Sequence, residues 1–151
     1  MTATERLAQL DIALPAPPQP AGAYTRAVRS GHLVFVAGQL PMASGEVTCK
    51  GQVGGAVKLA EAQAAARLCA LNALSILEAE VGLDRVTQIV RLTGHVCCTP
   101  EFADHPKVVN GASDLMADVF GECGVHARLA VGSISLPLGA SVELEVIAQV
   151  D

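Results

Sequence analysis

The sequence predicts an α+β fold in which two helices pack on one face of a mixed β-sheet. Short apolar or alternating segments, typical of strands, are separated by two longer segments whose apolar residues recur every three or four positions. The predicted order is strand-strand-helix-strand-helix-strand-strand, which is typical of a helical layer on a sheet. With 151 residues, 51% of them hydrophobic, the chain is long enough for one domain with its own core.

The N-terminal segment differs from the rest in its proline content. Residues 1–22 contain Pro15, Pro17, Pro18 and Pro20. Proline cannot donate a ladder hydrogen bond and favours an extended chain. We therefore predict a Pro-rich extension over residues 1–22, lying on the domain rather than forming its core, and a single domain over residues 23–151.

The first predicted elements are two strands and a long helix. Residues 33–37 form an apolar run bounded by glycines, and we expect residues 24–28 to pair with it through a turn at Ser30 and Gly31. A glycine-rich loop with at most a minor strand follows. From residue 58 to residue 80 the apolar period is helical, and Gly82 is placed to end the helix.

The second half of the chain predicts a strand, a helix and two more strands. Residues 87–98 alternate, with one apolar face (Val90, Leu92 and Val96) and one polar face (Arg91, Thr93 and His95). The next helix begins at Asp104 with Pro106 in its first turn, and Gly124 is expected as its left-handed C-cap. Residues 127–134 and 141–150 are predicted strands, joined by a turn at residues 136–139.

Charge and composition narrow the function classes. The net charge of −5 and a total of four Phe and Tyr residues without Trp disfavour nucleic acid binding. The charged fraction of 17% is low, which favours an oligomer with apolar interfaces. No run of residues is suited to span a membrane, and the N-terminus lacks the order of a signal peptide, so we expect a cytoplasmic protein.

The cysteines and a glycine-rich loop offer weaker alternatives. An odd number of scattered cysteines does not form a disulfide framework: Cys49, Cys69, Cys97, Cys98 and Cys123. Residues 95–98 could suggest a metal site, but the paired spacing of zinc ligands is missing, so we predict no metal. Residues 51–55 are glycine-rich without the lysine and hydroxyl ending of a phosphate loop.

Two charged residues on apolar strands are the main candidates for chemistry. If the last two strands form a simple hairpin centred between residues 135 and 136, Arg128 faces Glu143 directly. One interpretation is a structural cross-strand ion pair. The other is a site in which the guanidinium binds a carboxylate and the glutamate holds or deprotonates a water. Glu145 lies on the same face as Glu143, so spacing alone does not choose between them.

Short motifs follow one another in a fixed order over roughly residues 20–150: Gly38-Gln39-Leu40-Pro41, Val109-Asn110, Ala127-Arg128, Leu136-Pro137 and Val142-Glu143-Leu144-Glu145. This ordered set resembles the YjgF/RidA family, the reactive-intermediate deaminases. The resemblance implies a chorismate-mutase-like α+β subunit, assembled as a homotrimer with a cleft at each subunit interface.

The resemblance also implies an activity and a site. Deaminases of this family hydrolyse 2-imino acids to 2-keto acids and ammonia without a cofactor. By position, Arg128 matches the arginine that binds the substrate carboxylate, and Glu143 matches the glutamate that positions the attacking water. Tyr24 matches a tyrosine near the mouth of the cleft, and Gly38 and Asn110 match the glycine and asparagine around the site.

Three departures from the family pattern leave the function open. Ala130 stands where the deaminases often have cysteine, Ala37 where they often have serine, and His126 where proline is usual. A non-catalytic trimer that binds a small carboxylate metabolite is therefore the alternative. An endoribonuclease, as an older family name implies, is disfavoured by the negative charge and the few aromatic residues.

Overall fold

The computed structural model describes residues 1–151 and consists of a mixed sheet with its helices on one side. The elements, in chain order, are α1 (Ala3–Gln9), β1 (Ala27–Ser30), β2 (Leu33–Gln39), β3 (Met42–Ala43), β4 (Glu46–Val47), α2 (Leu59–Glu80), β5 (Val86–Cys97), α3 (His105–Phe120), β6 (Ala127–Ser133) and β7 (Val142–Val150). The main sheet has the strand order β1-β2-β7-β5-β6, and β3 and β4 form a separate small hairpin. Only β5 and β6 are parallel, so the predicted α+β class with a mixed sheet is confirmed.

The two long helices form the layer that was predicted from the helical spacing of their apolar residues. α2 has Lys58 as its N-cap and ends at Glu80, close to the predicted bounds. Its buried side is rich in alanine, which allows close packing. Where α3 crosses α2, Gly111 lies against the backbone of Gln63 and has no room for a Cβ atom. None of the helices combines the length and apolarity needed to cross a membrane.

The core lies between the helices and one face of the sheet. Its largest fully buried side chains include Leu74 and Leu77 of α2, Leu92 of β5, Leu115 of α3 and Leu144 of β7. No element of the chain covers the opposite face of the sheet. This uncovered surface is called the open face below.

The predicted hairpin between the last two strands is wrong. β7 lies in the middle of the sheet between β2 and β5, and β6 pairs in parallel with β5 at the edge. Alternate residues of β7 are fully buried, whereas no residue of β6 is, so β7 gains more from two neighbouring strands. The connection between them, which turns at Pro137–Gly139, is long enough to cross β5.

Three smaller expectations need correction. The register of β5 shifts between Ile89 and Arg91, so Ile89 rather than Val90 lies on the buried face. α3 ends at Phe120, and the glycine with positive φ that follows is Gly121. Gly124 lies in the next 3-10 turn instead. β1 begins at residue 27, three residues later than predicted.

The N-terminal segment contains a third helix that the sequence analysis did not predict. α1 begins with a capping box in which Thr2 and Glu5 exchange side-chain and backbone hydrogen bonds. Ala3 and Leu7 of α1 are buried in the main core cluster, so residues 3–9 do not merely lie on the domain. The domain boundary at residues 22 and 23 stays a prediction.

Candidate functional site

Arg128 is held on the helix side of the sheet by two polar residues of α3. Arg128 pairs with Leu92 in the parallel register, so its side chain points toward the helices. Its Nη1 donates to Asn110 Oδ1 at 2.7 Å and to Ser113 Oγ at 3.1 Å. The other guanidinium nitrogens of Arg128 have no partner in the chain. Arg128 is therefore oriented before any ligand binds and keeps donors for a carboxylate.

His126 extends this arrangement by one more hydrogen bond. Its Nδ1 lies 2.6 Å from the carbonyl oxygen of Gly124, which can only accept, so Nδ1 carries a proton. In the neutral ring, Nε2 then accepts from the hydroxyl of Ser113 at 2.8 Å. The hydrogen bonds run in one direction from Arg128 through Ser113 to His126. Sequence reasoning noted His126 only as a departure, and it missed Ser113, which lies one helical turn after Asn110.

Glu143 lies on the open face, in the middle strand of the sheet. It pairs with His95 of β5, is half-buried and makes no hydrogen bond in the chain. Burial raises the pKa of the Glu143 carboxyl, His95 lowers that pKa, and the nearby Glu145 raises it. A carboxylate with a raised pKa is a stronger base than an ordinary glutamate. Glu145 is more exposed and lies 3.7 Å from His95 Nε2.

Gly38 and Tyr24 lie around Glu143. A Cβ atom at Gly38 would stand 2.5 Å from Glu143 Oε1, so any larger residue would displace this carboxylate from its position. The register between β2 and β7 shifts beside Gly38, between Val36 and Gln39. Tyr24 is half-exposed and lines the same groove as Gly38 and Glu143. We call Glu143, Gly38 and Tyr24 the glutamate half, and Arg128, Asn110, Ser113 and His126 the arginine half.

The two halves do not meet within one chain. Glu143 is in register with His95 and Val131, whereas Arg128 is in register with Leu92, three positions earlier in β5. The strand β5 separates them, and their side chains leave opposite faces of the sheet. The predicted direct contact between Arg128 and Glu143, and with it the structural ion pair, is therefore wrong.

The weaker alternatives find no support in the geometry. No group of three or more His, Cys, Asp or Glu residues is arranged to hold a metal ion. In the glycine-rich loop, the N–H groups of residues 51, 53, 54 and 55 all donate to backbone carbonyls and are not free to bind a phosphate. Cys98 Sγ lies 3.3 Å from His105 Nε2, but burial and the neighbouring Cys97 raise the pKa of the Cys98 thiol.

Comparison with known proteins relates the chain to one family. Residues 4–150 match the model of the family "YjgF/chorismate_mutase-like, putative endoribonuclease", a match that includes the N-terminal helix and the proline segment. The chain is 44% identical to Protein TCP17 of Trypanosoma cruzi, over 96% of this chain and 92% of that protein. It is 30% identical to the 2-iminobutanoate/2-iminopropanoate deaminase of Dermatophagoides farinae, over 93% of this chain and 95% of that protein.

A solved structure shows the same fold over the full length. This is the crystal structure of a Shewanella oneidensis MR-1 protein that is named as an endoribonuclease, like the family model, and it superposes on this chain with a TM-score of 0.94. The two sequences are 32% identical, and the match covers 99% of this chain and 100% of that chain. The chain therefore belongs to the YjgF/RidA family.

Proposed function

We propose that the protein hydrolyses 2-imino acids to 2-keto acids and ammonia, at a site formed where the arginine half of one subunit meets the glutamate half of the next. The proposal rests on one observation: a cationic group and a basic group with complementary chemistry lie apart in one chain, so a complete site needs two chains. Arg128 is an oriented cation with free donors, and Glu143 is a carboxylate with a raised pKa and no hydrogen-bond partner in the chain. The relative from Dermatophagoides farinae that is named as a deaminase supports the same reaction.

The chemistry needs a carboxylate clamp, a water and a base. The free N–H groups of Arg128 bind the substrate carboxylate and fix the position of the imine carbon. Glu143 accepts a proton from a water as the water oxygen attacks this carbon and the C=N electron pair moves to the nitrogen, so the protonated imine becomes a neutral amino alcohol. Glu143 returns this proton to the nitrogen. The C–N bond then breaks as the hydroxyl group loses its own proton to Glu143 and becomes the carbonyl of the keto acid, and ammonia leaves. The imine carbon is already electrophilic, so the reaction requires no cofactor.

The open face favours an oligomer as the assembly that completes the site, and the family resemblance implies that this oligomer is a homotrimer. Val28, Phe35 and Leu129 lie on this face with exposed fractions of 54%, 43% and 42%, and Glu143 lies on the same face. Covering such a surface with a second copy buries apolar area and brings a neighbouring chain to Glu143. Sedimentation at micromolar concentration is expected to show a trimer, and a monomer would contradict this assembly.

A non-catalytic trimer that binds a small carboxylate is the second candidate. It is favoured by the arginine half, which is complete in one chain and needs no base to bind a ligand. Endoribonuclease activity is not part of the proposal, because a net charge of −5 disfavours binding of a polyanion. We expect the reaction to take place in the cytoplasm.

A trapping assay separates the two candidates. An amino acid oxidase generates 2-iminobutanoate or 2-iminopropanoate, and semicarbazide captures whatever imine remains. Hydrolysis by the protein is expected to lower the semicarbazone yield in proportion to protein concentration. An unchanged yield, together with measurable binding of 2-oxobutanoate, would favour the binding module.

A further inference from the structure

A cavity beside the glutamate half is not explained by the reaction itself. It has a volume of about 630 Å³ and lies between the end of β2, the β3 strand and the proline segment. Residues 15–21, which we call the strap, form one of its walls. Leu40 and Met42 form part of the opposite side. This volume falls within the roughly 300–1,000 Å³ that small-molecule sites occupy.

The strap is fixed at both ends. Before it, Ile12 and Leu14 pack against the core cluster. At its other end, the N–H group of the last strap residue, Ala21, donates to Tyr24 Oη at 3.2 Å. Four of the seven strap residues are prolines, which have no N–H group, so the strap can border a cavity with few unsatisfied donors. The cavity is therefore a built feature of the fold.

The cavity adjoins the groove that contains Glu143. Tyr24, Ala37 and Gly38 line both the cavity and the groove that contains Glu143. Gly38 is also the residue whose missing Cβ leaves room for Glu143 Oε1. A substrate with its reacting carbon beside Glu143 can therefore extend past Gly38 into the cavity.

Arg26 is the only charged residue that lines the cavity, and it is already paired, which disfavours a charged occupant. Arg26 is paired with Glu80 at 2.6 Å, so its charge is neutralised. The Asn72 amide donates to the carbonyls of Leu40 and Met42. A charged side chain would find no free opposite charge there, whereas an aliphatic or aromatic one would meet proline rings and aliphatic carbons.

We propose that this cavity binds the side chain of the 2-imino acid and selects apolar side chains of four or more carbons over the ethyl group of 2-iminobutanoate. This inference rests on the proposed function and names its substrate class. Each additional buried methylene is expected to raise kcat/KM about fourfold. Imines derived from leucine and phenylalanine are therefore the preferred substrates.

The experiment compares imines made from 2-aminobutyrate and from leucine in the trapping assay. We expect kcat/KM for the leucine imine to exceed that for 2-iminobutanoate at least tenfold. Ala43→Leu and Ala16→Leu fill the cavity from two different sides and should reduce this ratio severalfold, with 2-iminobutanoate hydrolysis retained. Ala60→Leu, at an exposed position of α2 outside the cavity, should leave the ratio unchanged. A ratio near one, or a ratio that neither cavity variant alters, overturns the proposal.

A binding measurement keeps this test separate from the test of the reaction. If no imine is hydrolysed, the proposed function fails, and calorimetry with the keto acids then decides about the cavity. Tighter binding of 4-methyl-2-oxopentanoate than of 2-oxobutanoate, weakened by Ala43→Leu, supports the cavity as a side-chain site. Equal binding, or no binding of either keto acid, overturns it.

Discussion

The two halves of the candidate site are built in opposite ways. Arg128 lies on an edge strand and is held by Asn110 and Ser113, so its charge is stabilised and its direction is set. Glu143 lies on the central strand and has no hydrogen-bond partner, and burial raises the pKa of its carboxyl. The arginine half stabilises the charge of Arg128, whereas the surroundings of Glu143 disfavour the charged form of its carboxyl.

The difference indicates which half binds and which half reacts. A charged group that neighbouring side chains already hold by hydrogen bonds suits binding, because little reorganisation is needed when the ligand arrives. A carboxylate that the fold leaves unpaired favours accepting a proton, which is what a general base does.

The largest expected effect is that of removing the guanidinium. Arg128→Ala should lower kcat/KM by about 30-fold to several thousandfold, because a charge-assisted contact of roughly 2–5 kcal/mol is lost. Arg128→Lys should restore little, since an ammonium cannot reproduce the planar fork. Steady-state kinetics on folded protein checks this. Arg67→Ala, an exposed arginine of α2, is the matched control and should behave like wild type.

The next effect concerns the base. Glu143→Gln should lower kcat by roughly 100-fold with a smaller change in KM, because the side chain keeps its shape but loses its basicity. Glu145→Gln is the matched control on the same strand and face, and it should keep most of the activity. If Glu145→Gln is the inactive variant instead, the assignment of the base is wrong.

The same substitution should affect stability in the opposite direction. The folded-state pKa of Glu143 is raised, so its protonated form stabilises the fold at low pH, and this contribution is lost as pH rises through that pKa. Glu143→Gln should therefore melt at a higher temperature than wild type at neutral pH. The difference should vanish in acid. A lower melting temperature at neutral pH would show that Glu143 supports the fold.

A smaller effect is expected from the residues that orient Arg128. Ser113→Ala removes one of its two hydrogen bonds and should raise KM about threefold to tenfold, with kcat nearly unchanged. His126→Ala acts through Ser113 and should have a weaker effect in the same direction. Kinetics of both variants, measured beside their melting curves, separates positioning from stability. A fall in kcat with constant KM would contradict a positioning role.

The smallest expected effect is that of the cysteines. Cys123 is exposed and Cys49 is partly buried, and neither belongs to either half of the site. The Cys49→Ser, Cys123→Ser double variant should be fully active, and alkylation of this variant should leave activity unchanged. Alkylation that abolishes activity without unfolding the protein would direct attention to Cys97 and Cys98.

Long periodic segments were predictable from the sequence, and contacts between distant strands were not. The bounds of α2 follow from an apolar period repeated over many turns. The position of β7 between β2 and β5 has no local signal. The alternation of apolar and polar residues in β7 shows that one face of the strand is buried, but it does not show which strands pair with it. The helix α1 was missed although Thr2 and Glu5 have the spacing of a capping box.

The candidate site was predictable in its residues but not in its arrangement. Arg128 and Glu143 came from the ordered motifs, while the assumed hairpin placed them in contact. Ser113 had a signal, since it follows Asn110 by three positions and lies on the same side of α3. The separation of the halves depends on strand order, which is a property of the whole fold.

Complementation between inactive subunits tests the central claim, that each site takes Arg128 from one chain and Glu143 from another. Arg128→Ala and Glu143→Gln chains with different tags are co-expressed, and the mixed oligomers are purified by both tags in turn. Every mixed trimer, whichever variant supplies two of its chains, has one interface of three that carries both native residues, so about one third of wild-type activity is expected. Oligomers of either variant alone should stay inactive. Mixed oligomers that are as inactive as the separate variants would show that the site does not combine Arg128 and Glu143 from different chains.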